Sequence, residues 1–173
     1  MGARSCKIPY RSRVIHSVAD ADFADCYQLV DPEPDASALD TYLAFVADTP
    51  GWMNALMALR NRIVRLVGLK HLGTMAVRDA DKAASDYEIG DRVGIFSLLH
   101  ADHNEVVMQD NDRHLRVLVS LFKHHVDGKP RISVSTVVHI HNRLGQAYMA
   151  VVGPVHKLIV PRMLGHVAKS ARA

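Results

Sequence analysis

Long apolar runs are missing from this chain of 173 residues, and none approaches the roughly 20 residues that cross a bilayer. Membrane insertion is therefore not expected. Only two cysteines are present, Cys6 and Cys26, and they are too few and too isolated in sequence for a disulfide framework or a zinc knuckle. A reducing cytoplasm is the expected compartment, because the cysteine content gives no sign of an oxidising one.

The motifs of several enzyme classes are missing as well. There is no Gly-x-Ser-x-Gly elbow, no Gly-x-Gly-x-x-Gly turn and no phosphate-binding loop. Aromatic residues make up only 6% of the chain and are not interleaved with the basic ones, which argues against nucleic-acid binding. General acid–base chemistry is the one enzymatic route that the residue types leave open.

Basic residues are concentrated at the start of the chain, where residues 1–17 contain four Lys and Arg and no acid. We expect residues 1–17 to be a solvated basic arm and residues 18–173 to form a single domain with a sizeable core. Cys6 stands where a myristoylation motif requires Ser or Thr, and no apolar segment typical of a signal peptide follows. The arm therefore predicts neither a lipid anchor nor secretion.

Alternation of apolar and polar residues predicts an antiparallel sheet in the second half of the chain. The sequence Asp127-Gly128 is typical of a tight hairpin turn. The apolar residues of the alternating strands share one face of the predicted sheet. We therefore expect that face to pack on an apolar interior and the other face to be in water. Strands are predicted at Phe23–Val30, Arg92–Leu99, Glu105–Gln109, His114–His125, Arg131–His141 and Gly145–Val152, with residues 73–78 as a candidate for one more.

Two shorter helices are predicted between the first strand and the others. The first is short and is capped by Asp35 or Ser37. The second has Thr49 as its cap and Pro50 at its first position, and Gly68 is suited to end it. Its predicted apolar face consists of Trp52, Leu56, Leu59, Ile63 and Leu66.

A long helix is predicted to close the chain at Val155–Ala171, with a kink or break where Pro161 falls. A curved antiparallel sheet that is closed by a C-terminal helix encloses space between the two. The order of the elements therefore predicts an α+β fold with a pocket.

Eleven histidines raise the question of a metal site. His139 and His141 share a face of a predicted strand, but that face is the one expected to meet water. His100, His103 and Glu105 form a looser group on a predicted turn. Exposed polar residues account for these positions, so we expect no metal and no other cofactor.

Six polar side chains are candidates to line the pocket. Arg60 flanks the core face of the second helix, where it either keeps its head in water or pairs with a sheet carboxylate or an anionic ligand. His156 and Tyr148 are each interpreted either as pocket residues or as side chains with a structural partner. The candidates for ligand binding are Arg60, Glu105, Asp112, His114, Tyr148 and His156, with Arg60 predicted to contact Glu105 or Asp112.

Short motifs spread over nearly the whole chain resemble those of a bacterial family, the domain of unknown function 2867. They are specific in combination, though not singly. The motifs are Lys7-Ile8-Pro9, Ala21–Asp25, Pro50-x-Trp52, Leu59–Asn61, Gly90–Gly94 with Phe96, Asp112-x-His114-Leu115, Thr136-x-Val138, His141-Asn142-x-x-Gly145-x-x-Tyr148 and Pro154-x-His156.

The resemblance implies the helix-grip fold of the START and pollen-allergen-like superfamily, a curved antiparallel sheet closed by a long C-terminal helix. It transfers no functional residue to this chain. Two hypotheses about function follow. The first is a small-molecule binding module that holds an apolar or amphipathic ligand between the sheet and the C-terminal helix. The second is an acid–base enzyme of the cyclase or hydrolase type that acts on such a ligand.

Possible partners follow from the same resemblance. Some relatives resemble a tail that follows a nicotinamide-dependent oxidoreductase, which implies a third role as an accessory domain to such an enzyme. The outer face of the sheet permits a homodimer. No nucleic-acid partner is expected.

Overall fold

The computed structural model describes residues 2–66 and 82–170, with side chains described for residues 2–58 and 82–166. Within these ranges, seven strands form one sheet and three α-helices accompany it. Short 3-10 turns lie at Arg13–Ser17 and Ala84–Asp86. The strands are β1 (Arg4–Ser5), β2 (Phe23–Val30), β3 (Arg92–Val93), β4 (Phe96–Ala101), β5 (Glu105–Asn111), β6 (Leu115–Val126) and β7 (Lys129–Ile140), and the helices are α1 (Ala38–Ala47), α2 (Gly51–Leu66) and α3 (Arg143–Ser170).

All neighbouring strands are antiparallel, in the order β1-β2-β7-β6-β5-β4-β3. The β6–β7 hairpin turns through Asp127 (φ 50°) and Gly128 (φ 71°), which confirms the predicted tight turn. Gly94 (φ 63°) turns the chain between β3 and β4, so the single strand predicted at Arg92–Leu99 is a hairpin of two strands. The strand predicted at Phe23–Val30 is confirmed as β2, and it pairs with β7 along its whole length.

The main core lies on the inner face of the sheet, which we define as the face that α1 and α3 cover. Strand register places Leu29, Leu121 and Ile132 on this face, and Phe45 of α1 and Leu164 of α3 pack over them. A curved antiparallel sheet with a C-terminal helix against it confirms the predicted α+β helix-grip fold class.

A buried ion pair lies at one end of the inner face. Lys123 Nζ of β6 is 3.3 Å from the Asp31 carboxylate, and the two side chains are 5% and 2% exposed. The same ammonium donates hydrogen bonds to the carbonyl oxygens of Glu33, at 2.7 Å, and Ala36, and to Thr41 Oγ1 at 3.2 Å. These bonds hold the proline-containing segment before α1 against the sheet.

Part of the outer face is covered by N-terminal residues, which corrects the expectation that the whole arm is solvated. Val14 packs against Val107, Leu118 and Val137 and is 2% exposed. Ser12 beside it is also buried, and β1 pairs with the edge of β2. Side chains on this face of the sheet thus find apolar partners within the chain. The homodimer stays a prediction, although part of the surface proposed for it is occupied.

The strand predicted at Gly145–Val152 is wrong, because these residues form the first turns of α3. The helix starts there because the Asn142 side-chain oxygen accepts hydrogen bonds from the backbone N–H groups of Leu144 and Gly145, both at 3.1 Å. Gly145 also lies against the His114 backbone, since a Cβ at this position would be 2.4 Å from the His114 carbonyl oxygen. The cap and this close approach fix the start of the helix.

The long closing helix predicted at Val155–Ala171 is confirmed, and it begins earlier, at Arg143. It continues through Pro154 and Pro161, so a break at Pro161 is wrong, while the alternative of a kink there stays a prediction. Each proline removes one backbone donor from the helix. The contacts that α3 makes with the sheet, including the buried Leu164 side chain, compensate for this loss.

The apolar face predicted for α2 is wrong for the members whose side chains are described. Trp52 and Leu56 are exposed, while Met53, one position along, is buried. At the start of this helix, Met53 and not Trp52 is therefore the side chain that faces the domain. The remaining members of the predicted face, together with Gly68 and residues 73–78, lie outside the residues described.

Candidate functional site

An aspartate on the sheet and a histidine on the closing helix meet on the inner face. His156 Nδ1 is 3.1 Å from Asp25 Oδ2, and the two side chains are 24% and 10% exposed. Asp25 lies in the middle of β2, opposite Thr136 of β7. The contact joins residues 131 positions apart, so it depends on how α3 docks on β2.

Local sequence explains how these two side chains are positioned. Strand alternation places Phe23, Asp25 and Tyr27 in one inward row of β2. Gly153 of α3 lies over Phe23, because a Cβ there would be within 3.8 Å of the Phe23 ring. The His156 ring meets the same Phe23 ring edge-on, with centroids 5.7 Å apart and an interplanar angle of 89°. The small residue and the aromatic contact together orient the imidazole.

One oxygen of the Asp25 carboxylate is left without a partner. Oδ1 of Asp25 is buried and accepts no hydrogen bond within the part of the chain that the structure describes. Buried carboxylate oxygens are normally paired, so this one is an unsatisfied acceptor. Asp25 also affects its neighbour Tyr27, since burial and then the charge of Asp25 raise the pKa of the Tyr27 phenol. The Tyr27 hydroxyl donates to the Lys157 carbonyl oxygen at 3.4 Å.

Three partly exposed apolar side chains lie near this pair, and we call the patch that they form the inner crevice. Val117, Val119 and Val134 lie on the inner face in the centre of the sheet, yet each stays partly exposed. Partial exposure at the centre of a covered face means that the covering elements do not close over it completely. Apolar walls beside one unpaired acceptor suit an amphipathic molecule.

Two of the predicted site residues, Asp112 and His114, hold a turn together. Asp112 Oδ1 accepts hydrogen bonds from the backbone N–H groups of His114 and Leu115, at 2.7 and 3.0 Å. The buried His114 ring lies with Nδ1 3.2 Å from Asn142 Oδ1, and Arg113 Nε donates to its Nε2 at 2.8 Å. These partners give both residues a structural role at the start of α3.

Glu105, another predicted site residue, faces the opposite side of the sheet. Its carboxylate accepts hydrogen bonds from the hydroxyls of Ser12, at 2.6 Å, and Ser120, at 2.7 Å, and from the backbone N–H of Arg13. It is 3% exposed and binds the N-terminal segment to the outer face. The structure therefore does not bring Glu105 to the inner crevice.

The remaining candidates are Arg60 and Tyr148. The side chain of Arg60 lies outside the described residues, and so does its predicted contact with Glu105 or Asp112. Tyr148 lies on α3 two turns before His156 and is partly buried. Of the predicted site residues whose side chains the structure describes, His156 is the one that lies beside a buried acceptor without a partner.

A small groove lies on the outer face. Its volume is about 150 Å³, and Arg13, His100 and Arg116 lie along it with apolar residues between them. Pockets for small molecules usually enclose about 300–1,000 Å³, so this groove is too small to be the main candidate.

A family model described as Protein of unknown function (DUF2867) matches residues 17–163. The chain belongs to this family. The DUF2867 match spans β2 and most of α3, and it therefore includes both Asp25 and His156. No curated protein and no solved structure matches the chain, so the kinship with START proteins stays a prediction.

Asp25 is the site residue of this DUF2867 protein that sequence reasoning missed. The signal was a single carboxylate in the inward row of β2, between Phe23 and Tyr27. Such a charge on an apolar row marks either a buried pair or a ligand contact. The family motif Ala21–Asp25 contains the residue.

Three of the histidines considered for a metal site have polar neighbours within the fold. His139 Nε2 lies 3.3 Å from Asp20 Oδ1, His141 Nδ1 lies 3.0 Å from the Asp112 carbonyl oxygen, and His100 Nε2 lies 2.8 Å from an Asp102 oxygen. Among the side chains described, no group of three His, Cys, Asp or Glu is placed to hold a metal ion. None of the helices in these ranges has both the length and the apolar character needed to cross a membrane.

Proposed function

We propose that this DUF2867 protein is a small-molecule binding module whose ligand lies between the inner face of the sheet and α3. The observation that carries the proposal is the buried, unpartnered Oδ1 of Asp25 beside His156. A buried carboxylate oxygen without a partner costs free energy, and proteins tolerate such a cost most often at functional sites.

The surroundings of the pair define the class of ligand. Val117, Val119 and Val134 supply apolar surface, and Asp25 supplies one hydrogen-bond acceptor. The ligand is therefore an apolar or amphipathic molecule with a hydroxyl or amino group that donates to Asp25. His156 adds a second polar contact through the ring nitrogen that Asp25 does not use.

The experiment is a fluorescence titration with N-phenyl-1-naphthylamine, a neutral apolar probe that carries one N–H donor. We expect saturable binding of about one probe per chain. Val119→Trp fills the crevice from the strand side and is expected to weaken probe binding at least tenfold. Ala150→Trp, on the exposed side of α3, is the matched control and leaves binding unchanged. Equal binding by both variants would place the probe elsewhere and contradict the proposal.

A second candidate function is acid–base catalysis on the same ligand. It is favoured by the His156–Asp25 contact, because a carboxylate on one ring nitrogen orients a histidine and leaves the other nitrogen free to move a proton. The test is whether a bound compound incorporates deuterium or changes mass when it is incubated with the protein in D₂O. Deuterium exchange by the wild type that His156→Gln abolishes would support catalysis. Binding of the compound without exchange would contradict catalysis and support binding alone.

The accessory role beside a nicotinamide-dependent oxidoreductase stays a prediction from the resemblance. No contact within the described residues adds to it. Co-purification of the chain with such an enzyme from its source organism is the measurement that addresses it.

A further inference from the structure

The two cysteines of the chain are neighbours in space, although the sequence separates them by 20 positions. Cys6 follows β1 directly and Cys26 lies in β2, and the β1–β2 register of Arg4 with Gln28 and Ser5 with Tyr27 continues to this pair. The Cys6 N–H donates to the Cys26 carbonyl oxygen at 3.0 Å. Their sulfur atoms are 3.1 Å apart.

The surroundings of the two thiols differ. Cys26 is 1% exposed and accepts a hydrogen bond from the Ser135 hydroxyl at 3.3 Å, whereas Cys6 is partly exposed. The hydrogen bond from Cys26 lowers the pKa of Cys6 to about 7, with burial opposing it and Ser133 contributing in the same direction. The pKa of Cys26 is raised, because its proton is held in that bond and because the thiol is buried. As a thiol, Cys6 donates to Cys26, and Cys26 donates to Cys6 when Cys6 is a thiolate. The partly exposed Cys6 is thus the thiol that ionises more easily, and Cys26 is its buried partner.

We propose that Cys6 and Cys26 form a peroxide-sensitive dithiol, in which hydrogen peroxide oxidises Cys6 and Cys26 then closes an intramolecular disulfide. This inference is independent of the proposed ligand site, since both cysteines lie away from the inner crevice.

The reaction balances with hydrogen peroxide as the only oxidant. The Cys6 sulfur attacks one peroxide oxygen and the O–O bond breaks, giving a sulfenic acid and a hydroxide that takes up the thiol proton as water. The Cys26 sulfur then attacks the sulfenic sulfur, the S–O bond breaks, and the second hydroxide leaves as water with the Cys26 proton. Two thiols lose two electrons in total, and one peroxide yields two waters.

The backbone permits the bond. Directly opposed residues that share a backbone hydrogen bond in an antiparallel pair have Cα atoms about 5.5 Å apart. This separation lies within the range of about 4.4–6.8 Å that disulfides span. The bond would join residues 2–6 covalently to β2, in addition to the pairing of β1 and the hydrogen bond from the Cys6 N–H.

In the test, the full chain is treated with one to ten equivalents of hydrogen peroxide. It is then denatured in the presence of N-ethylmaleimide, which alkylates the remaining free thiols, and its mass is measured by intact mass spectrometry. We expect an oxidised product about 2 Da lighter than the reduced chain, with no maleimide adduct and with a peptide that links Cys6 to Cys26. Cys26→Ser is expected to stop at a sulfenic acid on Cys6, which dimedone traps. Two maleimide adducts on the wild type, a disulfide between chains, or sulfinic acid on Cys6 without a link would each overturn the proposal.

A second measurement separates the dithiol from two independent thiols. The rate of Cys6 alkylation by iodoacetamide is expected to rise with a midpoint near pH 7 in the wild type. Cys26→Ala removes the donor, so the midpoint should move toward the ordinary thiol value of about 8.5, with roughly tenfold less thiolate at pH 7. Cys26→Ser keeps a donor and is the matched control, with a midpoint near that of the wild type. An unchanged midpoint in Cys26→Ala would contradict the coupling of the two sulfurs.

Discussion

His156 of the closing helix and Asp25 of β2 are joined by a 3.1 Å contact, and the second oxygen of that carboxylate has no partner in the described residues. The contact lies where the helix meets the sheet, a position that two apolar side chains could fill. Apolar pairs at such places are usually as stable as ion pairs or more so. The polar pair is therefore expected to serve binding and not stability.

The first prediction replaces this pair with apolar residues. Asp25→Leu/His156→Leu should leave the free energy of unfolding unchanged or raise it by about 1–4 kcal/mol, because it removes a half-satisfied buried carboxylate. His156→Leu alone should lower it by about 1–3 kcal/mol, because Asp25 then loses its partner. Urea unfolding measures both variants. A double variant less stable than the single one would show that the pair is structural.

The second prediction concerns the start of α3. Gly145→Ala should lower the free energy of unfolding by about 1–3 kcal/mol, because the new Cβ would be 2.4 Å from the His114 carbonyl oxygen, which belongs to the backbone and cannot turn away. Gly165→Ala, in the same helix, meets no atom within 4 Å and should raise stability by up to about 1 kcal/mol. Thermal unfolding of the two variants checks the difference in sign, and equal effects would contradict the close approach.

The third prediction concerns the buried ammonium of Lys123. Lys123→Met should lower the free energy of unfolding by about 3–5 kcal/mol, because it leaves the Asp31 carboxylate buried without its counter-charge. Lys129→Met, on the exposed hairpin turn, is the control and should change stability by less than about 0.5 kcal/mol. Urea unfolding distinguishes them, and a loss below about 1 kcal/mol for Lys123→Met would mean that the ion pair is solvated.

The fourth prediction separates Glu105 from the ligand site. Glu105→Ala removes the acceptor for Ser12, Arg13 and Ser120, so amide hydrogen exchange at Arg13 should speed up at least tenfold. Binding of N-phenyl-1-naphthylamine should be unaffected, because Glu105 faces the outer side of the sheet. Glu88→Ala, at an exposed position, is the control. Loss of probe binding without faster exchange at Arg13 would show that Glu105 contacts the ligand.

Much of the fold could be predicted because strand alternation is a local signal. The strand Phe23–Val30 and the Asp127-Gly128 turn follow from residues next to one another in sequence. The apolar stretch Gly145–Val152 was misassigned because it contains residue types common in strands. The Asn142 cap and the close approach of Gly145 to the His114 carbonyl favour a helix at this position. The approach of Gly145 is a tertiary contact, so it cannot be predicted from neighbouring residues.

The candidate site was harder to predict than the fold. His156 was among the candidates because it lies near the predicted start of the closing helix, but its partner Asp25 could be found only from the docking of α3 on β2. Glu105 lies on the outer face, where residues 12–14 cover it, and no pattern in the sequence indicates that cover. Cys6 and Cys26 are 20 positions apart in sequence, and their contact depends on the pairing of the two-residue strand β1, which sequence alone does not show.

The most direct test of the binding proposal is native mass spectrometry of the wild-type chain and of Asp25→Asn, both purified from the organism of origin and then extracted with organic solvent. We predict one small molecule per wild-type chain, with an apolar body and a hydroxyl or amino group, and a much lower occupancy in Asp25→Asn. The proposal that the protein binds a small molecule would be contradicted if both chains have the mass of the protein without a ligand and bind N-phenyl-1-naphthylamine equally weakly.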